Sequence, residues 1–264
     1  MKILINNNDL NEALYGLSNL GFVPTMGCLH NGHISLIKKS LEVTDKTIVS
    51  IFVNPKQFNN KKDFQKYPRN YQKDVTILRN LKVDYLYLPK KSSIYDENNK
   101  IKINLKKKDK ILCAKFRKGH FEGVLDVMDR LTNKIKPKKI FMGEKDFQQI
   151  YLVKRYIENK YKSKIIPCRT IRNNNKLALS SRNILLDSYN FNKAEKIAQN
   201  IISFKKKLTK KFISKKVLND KKKELVRKYG IKIEYFELRN KIDLKNSSTI
   251  KNSKFFIAYF INKI

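Results

Sequence analysis

Two of the three histidines in this chain, His30 and His33, lie three residues apart in the segment 24–37. A strand-like apolar run at 21–23 leads into this segment, Gly27 permits a tight turn, and an apolar-periodic helix begins near His33. Exposed backbone amides and the positive end of the helix dipole favour a phosphate group at such a helix start. Two imidazoles there could donate to that phosphate as its charge builds in a transition state. The segment alone also fits a loop with two solvated histidines, because so short a motif recurs by chance.

Two other clusters carry groups that bind phosphate. Lys145 follows a short apolar strand at 139–142, and an ammonium at a strand end can neutralise phosphate oxygens. Ser180 and Ser181 precede Arg182 between predicted elements, which places two hydroxyls beside a guanidinium. Together with the histidines, these clusters indicate a nucleotide-phosphate site.

Polar residues also follow a second buried strand, which we predict at 46–53. Asn54 and Gln57 come directly after it and are candidates for hydrogen bonding a small polar substrate, since ligands bind beyond the carboxyl ends of parallel strands. Taken alone, the pair fits equally well two residues that cap a turn. The third histidine, His120, lies beside Gly119 at a predicted helix start, where a substrate contact and a local structural role are both open.

The elements that must position these residues alternate along the chain. We predict strands at 21–23, 46–53, 83–88, 139–142 and 164–171, and helices at 9–20 with Asp9 as its cap, from His33, at 71–81, at 124–135 and at 150–157. Alternation at this spacing, with apolar strands, predicts an α/β fold with a Rossmann-like, doubly wound parallel sheet. Residues 90–112 are polar and lysine-rich, and we expect a surface excursion there with one weak strand around Ile101, Ile103 and Leu105.

The character of the chain changes after about residue 187. Lysine-studded helices are predicted at 194–208 and 213–229, followed by strands at 232–238 and 255–261. This pattern predicts a smaller C-terminal α+β domain. We therefore divide the chain into residues 1–175 and residues 176–264.

The composition indicates which binding partners and which cellular location to expect. The chain has 59 Lys+Arg against 23 Asp+Glu, a formal charge of +36, but the lysines are spread along its length and accompany a general abundance of Asn and Ile. We therefore expect no specific nucleic-acid partner, although a basic nucleic-acid-binding module stays open as an alternative function. Three isolated cysteines fit reduced thiols, and no apolar run is long enough for a signal peptide or a membrane span. We expect a cytoplasmic protein with no membrane association.

Five motifs, taken together, closely resemble those of the pantoate–β-alanine ligases of the HxGH nucleotidyltransferase superfamily, in the same order and spacing. The motifs are Pro24–His33, Val53–Phe58, Arg117–Val124, Gly143–Gln149 and Leu179–Asn183, with a fainter echo at Tyr235–Arg239. Five linked motifs are far more specific than one. The resemblance covers most of the chain and is strongest up to residue 186.

The resemblance implies an ATP-dependent ligase of pantothenate biosynthesis. Such an enzyme condenses (R)-pantoate with β-alanine through a pantoyl-adenylate intermediate and releases AMP and pyrophosphate. Magnesium would accompany ATP as substrate, with no dedicated protein metal site, and the protein would be a homodimer. A different adenylyltransferase acting on a phosphorylated precursor is the alternative within the superfamily. The amides of Asn54, Gln57 and Gln149 argue against it, because a phosphate substrate would be bound by cations.

The resemblance also assigns residues. His33, His30 and Lys145 would be catalytic, and residues 1–175 would bind the nucleotide and pantoate while residues 176–264 form a lid. The implied ATP-binding set is Met26, Gly27, His30, His33, Gly143, Glu144, Lys145, Asp146, Ile171, Leu179, Ser180, Ser181 and Arg182. Gln57 and Gln149 would bind the substrates pantoate and β-alanine, chiefly the hydroxyls and carboxylate of pantoate. One departure is Asn175-Lys176, which stands where the family usually has Asp-Gly, so this loop lacks a flexible glycine.

Overall fold

The computed structural model of the chain describes residues 1–95, 102–208 and 212–262. These residues form two compact units. The first comprises Met1–Ile171 with Leu179–Ser181, and the second comprises Arg172–Ala178 with the described residues from Arg182 onward. The chain thus leaves the first unit after Ile171 and returns to it only for the short segment Leu179–Ser181.

A parallel sheet forms the centre of the first unit. Its strands in the described residues are β1 (Lys2–Leu4), β2 (Leu20–Thr25), β3 (Lys46–Ile51), β4 (Tyr85–Tyr87), β5 (Lys139–Gly143) and β6 (Lys164–Cys168). Their order across the sheet is β1-β4-β3-β2-β5-β6, and every neighbouring pair is parallel. The chain builds from β2 through β3 to β4 and then continues with β5 on the other side of β2. The switch point between β2 and β5 is where ligands bind in sheets of this kind.

Helices cover both faces of this sheet. They are α1 (Asn7–Leu14), α2 (Asn31–Val43), α3 (Lys61–Lys66), α4 (Tyr71–Asn80), α5 (Lys91–Ile94), α6 (Cys113–Phe116), α7 (His120–Ile135) and α8 (Phe147–Lys160). Successive side chains of a strand point to opposite faces. On β2, Phe22 therefore belongs to a core with α1, α7 and α8, whereas Val23 belongs to a core with α2 and α4. The doubly wound α/β fold predicted from the sequence is confirmed.

The second unit has the predicted α+β character. It contains α9 (Ser188–Lys207), α10 (Lys215–Tyr229) and the antiparallel strands β7 (Lys232–Asn240) and β8 (Ser253–Phe260). Each helix begins at a side-chain cap, because Asp187 accepts from the Asn190 amide and Ser214 accepts from the Val217 amide. Apolar residues of both helices and both strands form one core. Among the described residues of both units, no helix is both long enough and apolar enough to span a membrane.

The first helix is shorter than its apolar periodicity predicts. Its cap is Asn6, whose side chain accepts from the backbone N–H of Asp9, so Asp9 is not the cap. The helix ends at Leu14, and Gly16 follows with a φ of 73°. Glycine adopts this left-handed conformation without steric cost, and the turn breaks the helix before residue 20.

Residues 90–112 are not merely a surface excursion. Ile94 is 1% exposed and belongs to the first unit's core, and Ile103 and Leu105 pack against that core. No strand forms within residues 102–112, and Ile101 lies outside the described residues. Apolar residues spaced among lysines therefore anchor this segment without regular strand pairing.

Candidate active site

The switch point brings together the loops that carry most of the predicted phosphate-binding residues. The loop after β2 leads to His30 and His33, and β5 leads directly into a 3₁₀ turn, Glu144–Asp146. β2 and β5 are parallel neighbours, so these two loops leave the same edge of the sheet. The 3₁₀ turn after β3, Pro55–Gln57, leaves that edge on the other side of β2.

A buried carboxylate, Asp74, anchors the loop after β2. Its two oxygens accept the backbone N–H groups of Cys28 and Leu29 at 2.8 and 2.7 Å. Asp74 is 2% exposed, and burial raises the pKa of its carboxyl while the two backbone donors favour its charged form. Gly27, with a φ of 78°, passes so close that a Cβ there would lie 3.0 Å from an Asp74 oxygen. Asp74 thus fixes the backbone that carries the histidines.

Both histidines use Nδ1 to accept a backbone N–H. The amide of Gly32 donates to Nδ1 of His30 at 3.0 Å, and the amide of His30 donates to Nδ1 of His33 at 3.4 Å. His30 is thereby the N-cap of α2. A neutral imidazole that accepts at Nδ1 carries its hydrogen on Nε2. Each ring therefore has an Nε2–H donor on the side away from the loop backbone, and the two ring centroids are 4.1 Å apart.

The electrostatics favour the neutral form of both rings. Burial, together with the charges of His30 and Lys145, lowers the pKa of His33 to about 3, while Asp146 acts in the opposite direction. Burial, and secondarily the charge of Lys145, also lower the pKa of His30. The charge of Lys145 thus contributes to the lowering of both pKa values. Two neutral N–H donors and one cation form a set suited to an anionic phosphate.

The backbone amides of the loop are not exposed as the sequence led us to expect. Five of them donate within the protein, those of Gly27, Cys28, Leu29, His30 and Gly32. The Gly27 amide, for example, donates to the hydroxyl of Thr25 at 3.2 Å. The amides therefore hold the loop in shape, and the groups left to meet a ligand are chiefly side chains.

The segment Leu179–Ser181 lies against residues 26–33, which follow β2 and which we call the histidine loop. The Ser181 hydroxyl donates to the backbone carbonyl of Cys28 at 3.1 Å, and Leu179 lies 3.9 Å from where a Cβ on Gly32 would be. The amide of Leu179 also donates to the carbonyl of Ile171. Ser180 is half-buried beside them, whereas Arg182 belongs to the second unit. Because Ser181 has one hydroxyl hydrogen and donates it to Cys28, its oxygen is left as an acceptor.

The residues after β5 differ in their surroundings. Lys145 and Asp146 are exposed, with 3.5 Å between the ammonium and a carboxylate oxygen, and Gly143 and Glu144 are half-buried. Gln149 is half-buried in the first turn of α8, and within the described residues its side chain makes no hydrogen bond to Gln57. The structure therefore does not join the two glutamines directly.

The Gln57 turn is held by α7. Nδ1 of His120 lies 2.7 Å from the backbone oxygen of Gln57, and a Cβ on Gly123 would lie 2.3 Å from the backbone oxygen of Lys56. This contact supports the structural alternative for His120. The side chain of Gln57 faces Met26, with 2.9 Å between Nε2 and Sδ. Because Met26 is part of the loop that leads to His30 and His33, the side chain of Gln57 lies beside that loop.

Sequence reasoning missed Asp74, although a signal was present. Asp74 precedes Val75 and lies one turn before Leu78 on the buried face of α4. A carboxylate buried there without hydrogen-bond donors would lower the free energy of unfolding. A buried aspartate in an apolar helical stripe indicates a partner elsewhere in the chain.

Residues 1–95, 102–208 and 212–262 contain no cluster of three or more His, Cys, Asp or Glu side chains that could hold a metal ion.

Comparison with known proteins identifies the family. The family model described as Pantoate-beta-alanine ligase matches residues 3–264. A pantothenate synthetase of Francisella tularensis subsp. novicida (strain U112) is 39% identical over 263 residues, which cover 97% of this chain and 91% of that protein.

Solved structures agree. The crystal structure of pantothenate synthetase from Thermus thermophilus has a TM-score of 0.89 and 26% identity, and the match covers 100% of this chain and 96% of that one. The pantoate-beta-alanine ligase from Francisella tularensis, complexed with beta-gamma ATP and beta-alanine, has a TM-score of 0.83 and 36% identity, with 100% and 95% covered. The resemblance seen in the five motifs is thereby confirmed: this chain belongs to the pantoate–β-alanine ligase family.

Proposed function

We propose that this chain condenses (R)-pantoate with β-alanine in an ATP-dependent reaction that forms pantothenate. A carboxylate oxygen of pantoate attacks the α-phosphorus of ATP, and the bond from that phosphorus to pyrophosphate breaks. The β-alanine amine then attacks the acyl carbon of pantoyl adenylate, loses a proton and displaces AMP. Family membership supports this reaction, as does the relative from Francisella tularensis that was crystallised with beta-gamma ATP and beta-alanine.

The observation that carries the proposal is the set of donors at the switch point. His30 and His33 each have an Nε2–H directed away from the loop, and the charge of Lys145 acts on both rings. These groups would hold the ATP phosphates and stabilise the charge that moves onto pyrophosphate. Because both pKa values are lowered, the imidazoles would do this as neutral hydrogen-bond donors, with no need to carry a positive charge.

The other predicted site residues have narrower roles in this proposal. Ser180, Ser181 and Arg182 would add phosphate contacts, with Arg182 proposed from its motif alone. Gln57 and Gln149 would bind the acid substrate. The residues proposed to line the nucleotide site are Met26, Gly27, Gly143, Glu144, Asp146, Ile171 and Leu179.

Further expectations about the metal, the location, the assembly and the two parts of the chain stay proposals. Mg²⁺ would enter bound to the phosphates of ATP, since that ion usually keeps several waters and uses few protein ligands. The chain would act as a homodimer, as the family resemblance suggests, and its composition favours a cytoplasmic location and no specific nucleic-acid partner. Residues 1–175 would bind ATP and pantoate, and residues 176–264 would act as a lid.

The direct test is product analysis with the full chain. With ATP, Mg²⁺, pantoate and β-alanine, we expect equal amounts of pantothenate, AMP and pyrophosphate, and no pantothenate when any one substrate is omitted. Lys145→Ala should lower turnover by about 100-fold or more, because a group that stabilises transition-state charge is typically worth a few kcal/mol.

Lys164→Ala is the matched control. Lys164 is also exposed, but it begins β6 and so lies at the opposite, amino end of the sheet. We expect wild-type turnover from this variant. Formation of ADP in place of AMP, or equal turnover in Lys145→Ala and Lys164→Ala, would contradict the proposal.

A further inference from the structure

A chain of hydrogen bonds links a half-buried tyrosine to Gln57. The Tyr95 hydroxyl donates to Oδ1 of Asn54 at 2.7 Å, and Nδ2 of Asn54 donates to Oε1 of Gln57 at 3.2 Å. Nε2 of Gln57 then faces Met26. Tyr95 and Gln57 are far apart in the sequence, and no motif connects them.

The orientation of the Asn54 amide is determined by backbone groups whose roles are unambiguous. The carbonyl of Gly123 can only accept, and it lies 3.0 Å from Nδ2 of Asn54. The amide of Lys56 can only donate, and it lies 3.2 Å from Oδ1. Asn54 is 1% exposed, so water does not compete for these positions. Its nitrogen must therefore face Gln57, which in turn must offer its oxygen.

Tyr95 is itself held as a hydrogen donor. The Lys56 ammonium lies 4.0 Å from the centre of its ring, and the Arg130 guanidinium lies 5.1 Å from it. Both cations pair with Asp126, at 2.8 and 2.6 Å. Burial, with the Asp126 charge, raises the pKa of the Tyr95 hydroxyl above its ordinary range, so the hydroxyl keeps its hydrogen.

We propose that Tyr95 is a positioning residue for the acid substrate, which acts through Asn54 to hold the Gln57 amide with its nitrogen facing the site. Gln57 then presents N–H donors beside Met26 and selects an acceptor on the substrate, a carboxylate or hydroxyl oxygen. A site that presented Oε1 would instead repel a carboxylate. This inference rests on the proposed function and assigns the orientation of one of its substrate contacts.

The test is the kinetics of Tyr95→Phe. Removing the hydroxyl takes away one of the two donors to Oδ1 of Asn54. The Asn54 amide is then held less tightly in its orientation, and so is the Gln57 amide bonded to it. We expect kcat/KM for pantoate to fall about tenfold, mainly through KM, which is the effect of losing one hydrogen bond. The KM for ATP should not change.

Tyr87→Phe is the matched control. The Tyr87 hydroxyl also donates to an asparagine side chain, Oδ1 of Asn7 at 2.8 Å, but that residue begins α1 and has no bond to the Gln57 turn. Both variants should lose comparable thermal stability, because each loses one partly buried tyrosine–asparagine hydrogen bond. Only Tyr95→Phe should change the KM for pantoate.

A double-mutant cycle separates positioning from a general structural effect. In a Gln57→Ala background, Tyr95→Phe should cause no further loss in kcat/KM for pantoate, since its partner is already gone. Additive losses, or an unchanged pantoate KM in Tyr95→Phe, would overturn the inference. A wild-type protein without pantoate-dependent AMP formation would instead refute the proposed function.

Discussion

At the scale of single residues, the backbone selects the tautomer of the two histidines. Nδ1 of His30 and Nδ1 of His33 each accept an amide N–H, so both rings keep their hydrogen on Nε2. These hydrogen bonds join groups of the protein itself. In the proposed function, the pair would therefore be arranged in advance to donate to a phosphate of ATP, which is the kind of preorganisation that stabilises a transition state.

The lowered pKa of His33 predicts a pH-dependent stability. Its folded pKa is about 3, whereas an unfolded histidine titrates near 6.5. As the pH falls through 6.5, the unfolded chain binds a proton that the folded chain does not, so the free energy of unfolding falls between pH 6.5 and pH 3. Relative to pH 8, we expect this residue to remove about 1–2 kcal/mol at pH 5.

His33→Asn isolates this effect. Oδ1 of asparagine can replace Nδ1 as acceptor for the His30 amide, but the side chain does not titrate. Denaturant unfolding of both proteins from pH 8 to pH 4.5 should show a shallower loss of stability in the variant. Parallel curves would show that His33 titrates normally in the folded protein. The same variant, which lacks the Nε2–H, should also lose turnover.

Residue types near the histidines could be predicted from the sequence, but their fixed geometry could not. The two imidazole donors could be predicted because His30 and His33 lie only three residues apart in the sequence. Asp74 bonds to Cys28 across 46 positions in the chain, and His120 bonds to Gln57 across 63. Such contacts depend on which elements meet in space, and one sequence carries only indirect signals of them.

At the scale of elements, continuous apolar strands alternating with amphipathic helices were sufficient to predict five strands of the parallel sheet, whereas the short edge strand β1 was not predicted. Residues buried on both faces, such as those of β3, leave few alternatives to a central parallel strand. The prediction failed where propensity and tertiary packing compete. The N-cap of α1 is Asn6, whereas Asp9 was predicted. Ile94 is buried in a segment whose many lysines suggested that it is exposed.

The turn that lacks the family's glycine shows a cost in the backbone. Lys176 has a φ of 73°, in the left-handed region, within a turn where its amide donates to the carbonyl of Asn173. We expect Lys176→Gly to raise the free energy of unfolding of the second unit by about 0.5–1 kcal/mol, because relief of this strain exceeds the added entropy of the unfolded chain. Thermal unfolding measures the change.

Lys251→Gly provides the comparison. Lys251 is an exposed turn residue of the same unit, and it does not have a positive φ. Glycine there should only destabilise, through the entropy of the unfolded chain. Equal destabilisation in both variants would show that Lys176 is not strained.

At the scale of the whole molecule, the charge of +36 and the family assignment point in different directions. The charge, from 59 basic and 23 acidic residues, suggests polyanion binding. The ligase family nevertheless matches residues 3–264, and Lys145 lies in the turn directly after β5, where its charge lowers the pKa values of two histidines. In the proposed function, an anionic nucleotide at this one site would account for Lys145, and the other lysines are spread along the chain.

In the proposed reaction, the first half-reaction activates pantoate at the switch point. Exchange of labelled pyrophosphate into ATP, measured with Mg²⁺ and without β-alanine, tests it most directly, because exchange requires reversible formation of the adenylate. We expect exchange that depends on pantoate. Exchange without pantoate, or no exchange from a folded protein supplied with pantoate, would contradict it.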